Sequence, residues 1–356
     1  MPHITPATAT VTKEKDVLII GGGIAGTMLG WHLLRRGVSF DILDEGYKEA
    51  SSYRAAGLIN PVTGRRFVKS WMFDTLQSYF SKVYDEIGEY LGREVIREVR
   101  IIRHFASPLE ENIWLSKCNQ PGYTPYISVD SHLSVEGSVY TTGMLTGVTK
   151  GWRILSPGLL DGLHDRWTRE GRIIQGRWMQ PLDSDDSIVY GSTRYDKLVF
   201  ATGSAFPVME EWQSLPLIPN GGEYLILKIP ALDTRFLLKH KEVLVPLGEH
   251  HYWFGATYDW DGVVQAPSTE GLEYLTQALE QLITCPYEIV EHQIGIRPTV
   301  KDRRPLLGTS IRHPNVHLFT GFGTKGFSLA PFWARHFVRH LLDNTPLDPA
   351  VNIDRF

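Results

Sequence analysis

The sequence predicts an α/β fold in two parts: a Rossmann-type domain on a parallel sheet, and a second α+β domain built on a mostly antiparallel sheet. Three observations predict it. An apolar strand, a glycine-rich turn, a helix and a second strand follow one another between Asp16 and Asp44. β-type runs separated by turns fill much of residues 215–293, and the chain then returns to one more strand and a long helix. At 356 residues there is length for two domains and a large core.

The N-terminal unit is the most informative stretch. Val17 to Ile20 is apolar and rich in β-branched residues, as a buried parallel strand should be. Gly21, Gly23 and Gly26 form Gly-x-Gly-x-x-Gly, with Ile24 and Ala25 inside the turn. The spacing suits a tight turn, close approach of a pyrophosphate and close packing of the next helix. Thr27 to Arg36 is helical in pattern, with Gly37 as its stop. Val38 to Leu43 reads as a second strand ending at Asp44, where a carboxylate meets a ribose hydroxyl pair and disfavours a 2′-phosphate. The unit binds an adenine dinucleotide; alone it does not separate FAD from NAD.

Bulk properties narrow the class. Net charge is −4 and the pI about 6.4, so composition argues against a polyanion-binding surface. Cys118 and Cys285 have no metal-ligand spacing, and two reduced thiols are expected. No metal site is expected. Residues 1–15 lack the basic start and apolar core of a signal peptide, and no apolar run spans a bilayer. The expectation is a soluble, cytoplasmic protein with a flexible N-terminal tail over 1–15.

After Asp44 come Ser51, Ser52, Ala56 and Gly57, small residues that let backbone approach a flat ring. Gly-Gly-Gly-Ile-Ala-Gly, the terminal acid and Ala-Ser-Ser-x-x-Ala-Ala-Gly together resemble the D-amino-acid oxidase and glycine oxidase superfamily, whose FAD-binding domain is glutathione-reductase-like. That resemblance selects FAD, bound without a covalent link. It places the FAD-binding domain at 16–70, 151–214 and 294–356, and the substrate domain at 71–150 and 215–293.

In order, Trp71 to Leu91 has amphipathic helical spacing through Leu76, Phe80, Val83, Tyr84 and Ile87. Ile96 to Phe105 has strand character, and 108–147 reads as irregular with β-prone pieces such as Gly137 to Thr142. Ser156 and Pro157 open a helix, and Arg172 to Trp178 follows as a strand. The strand from Tyr195 ends in Ala201-Thr202-Gly203, a turn that passes the dinucleotide in the resembled family. Gly222 to Lys228, Val243 to Gly248 and His250 to Tyr258 are β-type; Glu270 to Ile283 is helical. Tyr224, Tyr252, Trp253 and Tyr258 are candidates to line one sheet face. Val316 to Thr320 is a strand, and Gly321-Phe-Gly323-Thr324-Lys325-Gly326-Phe327 opens the last long helix.

A flavin oxidises an amine by taking hydride at N5, so the protein must orient substrate and restrict water. The resemblance makes Arg297, in Gly-Ile-Arg-Pro, the arginine that grips a substrate carboxylate beside the cofactor, a role suited to a planar fork. Tyr258 is the second candidate. The resemblance also implies that Lys325 and the turn Gly323 to Phe327 sit at the flavin pyrimidine edge, where a helix N-terminus favours negative charge. Arg65 and Arg66 either guard the site or sit on the surface. Val243 departs from the family, which has a tyrosine there, so the substrate need not be glycine. The expected activity is FAD-dependent oxidation of a small amino or imino acid, with oxygen or another electron acceptor. The alternatives are action on a glycine-like adduct of tRNA wobble uridine and a non-catalytic flavin-binding redox partner. The −4 charge argues against nucleic acid.

Overall fold

The computed structural model describes residues 11–130, 145–179, 187–205, 209–232, 236–260 and 266–356. The chain divides into two compact units: 1–53 with 160–218 and 298–356, and 54–159 with 219–297.

The first unit is built on a seven-stranded sheet ordered Leu306–Thr309, Val316–Thr320, Thr193–Phe200, Lys13–Ile20, Phe40–Asp44 and Ile173–Gln175, with Ile188–Tyr190 paired to Thr193–Phe200. The pairings from Val316–Thr320 through Ile173–Gln175 are parallel. Burial explains their apolar character: Val17, Leu18, Ile19 and all of Phe40–Asp44 are inside. Helices Ile24–Arg35 and Gly326–Asp343 pack against each other, and His32 Nε2 bonds the Pro331 carbonyl at 2.9 Å.

The second unit carries a nine-stranded sheet ordered Glu288–Val300, Leu217–Lys228, His251–Gly255, Val243–Gly248, Leu237–Lys239, Ile96–His104, Thr146–Ile154 and Leu58–Ile59, with Ile127–Asp130 paired to Thr146–Ile154. Leu237–Lys239 pairs with Ile96–His104 in parallel; the other described registers are antiparallel. One face packs Leu225, Leu227, Leu238, Leu244, Tyr252 and Phe254 with Leu275 and Leu279 of helix Thr269–Glu280. The other gathers Ile101, Leu237 and Val245 with Val243 and Trp253.

Several expectations need correcting. The first strand begins at Lys13, where Lys13 to Lys15 pair with Thr193 to Tyr195, so residues 13–15 belong to the sheet, and residues 1–10 lie outside the described residues. Residues 54–70 and 151–159 fall in the second unit, because Leu58 and Ile59 pair with Arg153 and Trp152. Within 108–147 a helix, Pro108–Cys118, forms; Ser107 Oγ accepts the Glu110 N–H at 3.3 Å and Pro108 takes the first turn. Gly137 to Thr142 lies outside the described residues. Tyr252 faces the helix side of its sheet, away from Trp253, since neighbours on a strand alternate. Cys118 and Cys285 are free thiols. No helix among the described residues is long and apolar enough to cross a membrane.

Candidate functional site

In the first unit the glycine turn is forced by steric closure. A Cβ on Gly26 would overlap the Gly21 carbonyl oxygen, and one on Gly21 would lie 2.6 Å from the Ala201 oxygen. Strand end, helix start and the Ala201 turn therefore meet as bare backbone. Gly203 follows with a left-handed φ of 62°, and its carbonyl accepts the Thr320 hydroxyl at 2.8 Å. The Thr202 hydroxyl is spent on the Ala205 carbonyl.

The electrostatics suit a dinucleotide. Helix Ile24–Arg35 has no acidic residue in its first turn and no side-chain cap on Gly23. Ser52 Oγ accepts the Ile24 N–H at 3.1 Å, while the buried N–H groups of Ala25 and Gly26 have no acceptor among the described residues. Such orphaned donors at a helix N-terminus are a pyrophosphate's natural partners. Asp44 is buried and oriented by the N–H groups of Gly22 (2.6 Å) and Gly46 (2.9 Å), so its carboxylate is fixed to accept from a ribose. Ser51 opens the short helix Ser51–Arg54.

Two residues that the sequence did not point to stiffen this loop. The buried His164 bonds the Gly22 carbonyl through Nε2 at 2.8 Å and stacks on Tyr47 with ring centroids 3.7 Å apart. Burial holds its pKa below the ordinary value. A Cβ on Gly22 would overlap the imidazole, so this glycine makes room for a ring rather than for the cofactor. The signal lay 142 positions away in sequence.

At the other end of the unit, Gly323–Lys325 is a single turn running into helix Gly326–Asp343. Gly323 has a φ of 53°, Thr324 is exposed and Phe327 is buried. Lys325 is half-buried and its ammonium has no partner among the described residues; burial, then Arg303, pushes its pKa down. A cation at a helix N-terminus with no counter-ion is electrostatically uphill until an anion arrives.

The second unit holds Arg297. Its Nη1 donates to Asn220 Oδ1 (2.7 Å), Thr257 O (3.0 Å) and Gly221 O (3.2 Å). Nε and Nη2 have no partner among the described residues. The guanidinium lies over Gly222, where a Cβ would be 2.6 Å from Nη1 and nearer still to Nη2. Its Cζ stands 4.4 Å from the ring centre of Tyr258, which is 59% exposed. Burial lowers the Arg297 pKa, opposed by Tyr258 and Glu242. Asn220, fully buried, was not legible as a partner; its amide also bonds the Asp259 carbonyl at 2.5 Å. Tyr224 stacks on Trp253 at 5.2 Å on the same sheet face as Gly222. Ala56 and Gly57 belong to this unit, where Gly57 packs on the Ile154 backbone; Arg65 and Arg66 are exposed in a turn. No group of three or more metal-ligating side chains occurs among the described residues.

A parallel sheet with a bare glycine cradle, joined to an antiparallel-sheet unit carrying a half-satisfied arginine, defines an FAD-dependent oxidoreductase of the D-amino-acid oxidase type. The chain belongs to that family: the model for DAO, FAD dependent oxidoreductase, matches residues 16–339. It is 27% identical over 95% of its length to a bifunctional protein ThiO/ThiG of Nostoc sp., covering 54% of that protein. It is 23% identical over 96% of its length to the tRNA 5-methylaminomethyl-2-thiouridine biosynthesis bifunctional protein MnmC of Idiomarina loihiensis, covering 59%. The chain thus spans just over half the length of these relatives. The crystal structure of glycine oxidase from Geobacillus kaustophilus superposes with a TM-score of 0.75 at 21% identity, covering 95% of this chain and 98% of that one.

Proposed function

We propose that this protein oxidises the C–N bond of a small amino or imino acid to an imine that water then hydrolyses. FAD, when bound, accepts the substrate's hydride at N5. The Gly21–Gly26 turn, Asp44 and Ser52 would hold the dinucleotide, and Lys325 with the adjacent helix start would meet negative charge. The observation that carries the reading is the fork of Arg297. Three acceptors fix Nη1, while Nε and Nη2, the edge that takes a carboxylate through two parallel hydrogen bonds, have none. Tyr258 braces the plane from its side. Orientation is the main task left to the protein, and fixing one end of an amino acid is how it is met. A glycine oxidase of Pseudomonas putida, 22% identical over 95% of this chain, supports by its name a small amino acid as substrate.

The test is anaerobic mixing of the flavin-loaded protein with a panel of amino acids, N-alkyl amino acids and carboxylate-free amines. The expected result is bleaching by carboxylate-bearing amines only, lost in Arg297→Ala with FAD retained. Arg297→Lys should recover little, because an ammonium keeps the charge without the fork. Equal bleaching by Arg297→Ala would reject the role. Salt-sensitive retention of tRNA, with no reduction by any free amine, would replace this reading with one on an RNA adduct.

A further inference from the structure

Arg103 is a buried charge of the second unit with no ionic partner among the described residues. It ends strand Ile96–His104 and is only 6% exposed, yet its guanidinium has no hydrogen bond and no carboxylate within 4 Å among the described residues. Its packing partners are aromatic: Cζ lies 4.9 Å from the ring centre of Phe67 and 6.0 Å from that of Trp114. Beside it in register stands a second cation, Lys239. Lys239 is partly buried, and among the described residues its ammonium bonds only the Lys241 carbonyl, at 3.2 Å. Burial, then the charge of Arg103, pulls the Lys239 pKa down to about 8; Glu242 and Glu110 act the other way. Neither carboxylate pairs with these cations: Glu110 caps the Ala106 N–H at 3.1 Å and Glu242 accepts the Tyr274 hydroxyl at 2.8 Å. Two adjacent, poorly solvated cations repel each other, and a fold without use for them would pair or replace them.

Their location in the sheet matters more than their charge. Registered partners share a face, and a continuous row runs Gly147, Arg103, Lys239, Val243, Gly255, Tyr224. Tyr224 is two residues from Gly222, over which the Arg297 guanidinium lies. Between the cation pair and that end of the row stand Val243 and Gly255, short themselves, with the indole of Trp253 reaching over Gly255 to 3.1 Å from where a Cβ would sit. At about 4.8 Å per strand, Lys239 and Tyr224 are about 14 Å apart along the row. The same face therefore presents a carboxylate anchor and, across Val243, Gly255 and the edge of the Trp253 indole, a second, unneutralised cationic group.

We infer that Arg103 and Lys239 form a second anion-binding subsite on this face, which takes the distal carboxylate of an extended amino acid whose α-carboxylate Arg297 holds. This deepens the proposed function and rests on it for the role of Arg297. It makes the preferred substrate a dicarboxylic secondary amine with several methylenes between nitrogen and distal carboxylate.

The test uses the flavin-loaded protein and a matched pair of amines, N-(4-carboxybutyl)glycine and N-pentylglycine, which differ in the distal charge. The ratio of their apparent dissociation constants in anaerobic flavin reduction should favour the diacid at least about tenfold. Arg103→Met and Lys239→Met should each bring that ratio close to one. A separate arm titrates inorganic phosphate calorimetrically: wild type binds, both variants do not. If phosphate binding behaves so while no amine reduces the flavin, the catalytic reading fails and the subsite stands. If amines reduce the flavin with no preference for the diacid, or if both variants bind phosphate like wild type, the subsite is wrong. Because Lys239 is partly exposed, its variant reports even if Arg103→Met fails to fold.

Discussion

The substitution Gly222→Ala interrogates the arginine anchor without removing it. Gly222 has no left-handed backbone that would by itself resist a side chain, so the added Cβ acts mainly through what it meets. It meets the guanidinium, with Nη1 at 2.6 Å and both Cζ and Nη2 closer. Those contacts are below any real Cβ distance, and the guanidinium is the mobile partner. It must swing off Gly222 and give up its bonds to Asn220 and Thr257, at 2.7 and 3.0 Å, and to Gly221 at 3.2 Å. A hydrogen bond to a charged group contributes about 1.5–3 kcal/mol, so misaligning the two bonds of a carboxylate fork costs about 3–6 kcal/mol of substrate binding. Part returns if the arginine finds a new pose, and a displacement of about 1 Å can still cost about a hundredfold. The expected result is a fall of about a hundredfold or more in the second-order constant for flavin reduction by carboxylate-bearing amines. FAD content should be unchanged, because Gly222 lies outside the unit that carries the glycine turn. Stability should drop by about 1–3 kcal/mol, since the buried Asn220 oxygen loses its donor. Stopped-flow reduction and urea unfolding measure the two effects. Wild-type reduction by Gly222→Ala would refute the reasoning, because the present guanidinium position is the one the Cβ would occupy.

Two further outcomes follow from the cofactor-binding unit. His164→Ala should weaken FAD binding about tenfold in a flavin-fluorescence titration, because the Gly22 carbonyl loses its 2.8 Å partner and the loop its stacked brace; unchanged affinity would show that the loop stands alone. Acid should destabilise the fold through His32, whose pKa falls from 6.5 to about 4 because of burial first, then the nearby Arg335 and Arg35, against its bond to Pro331. Its folded value is below its unfolded one, so the associated stability is complete above about pH 6.5 and is lost as pH falls toward 4, about 3 kcal/mol in all. His32→Gln, which keeps a donor for the Pro331 carbonyl, should flatten that part of the urea-unfolding profile; an unchanged slope would remove His32 from the account.

How much of this was legible in the sequence depended on whether the constraint was local. The glycine turn and Asp44 are set by backbone closure over a few residues, so spacing reveals them. Arg297 was legible only through its motif, and its satisfied half was not: Asn220 lies 77 positions away with no motif of its own. The helix Pro108–Cys118 had its start signal in Ser107, Pro108 and the acidic pair Glu110 and Glu111, but only Trp114 is buried along it, so no apolar stripe announces it. Strand parity alone separates Tyr252 from Trp253 and puts them on opposite faces, which residue type by itself does not show. The same parity puts Arg103 with Ile101, on the apolar face, yet no pattern in one chain tells that a strand's arginine will find neither acceptor nor carboxylate.

The unpaired cations carry the functional argument because the paired ones do not. Lys15 meets Asp41 at 2.5 Å, Arg36 meets Asp343 at 2.7 Å and Arg355 meets Asp302 at 2.9 Å, each a local arrangement that folding alone explains. Lys325 in one unit and Arg103 in the other have no such partner among the described residues, and Arg297 keeps half of its fork unused. Burial depresses the Arg103 pKa to about 10, yet a guanidinium stays charged at any pH at which the chain is folded. Lys325 and Arg103 therefore make the fold less stable than apolar replacements would, which is the signature of a site preorganised for an anion it does not supply itself, whereas Arg297 also holds Asn220 in place. The two kinds of cation are separable by one comparison. Removing a paired cation strands its carboxylate and lowers stability, whereas removing Arg103 or Lys325 relieves an uncompensated charge, so stability and ligand binding move in opposite directions only at the functional ones.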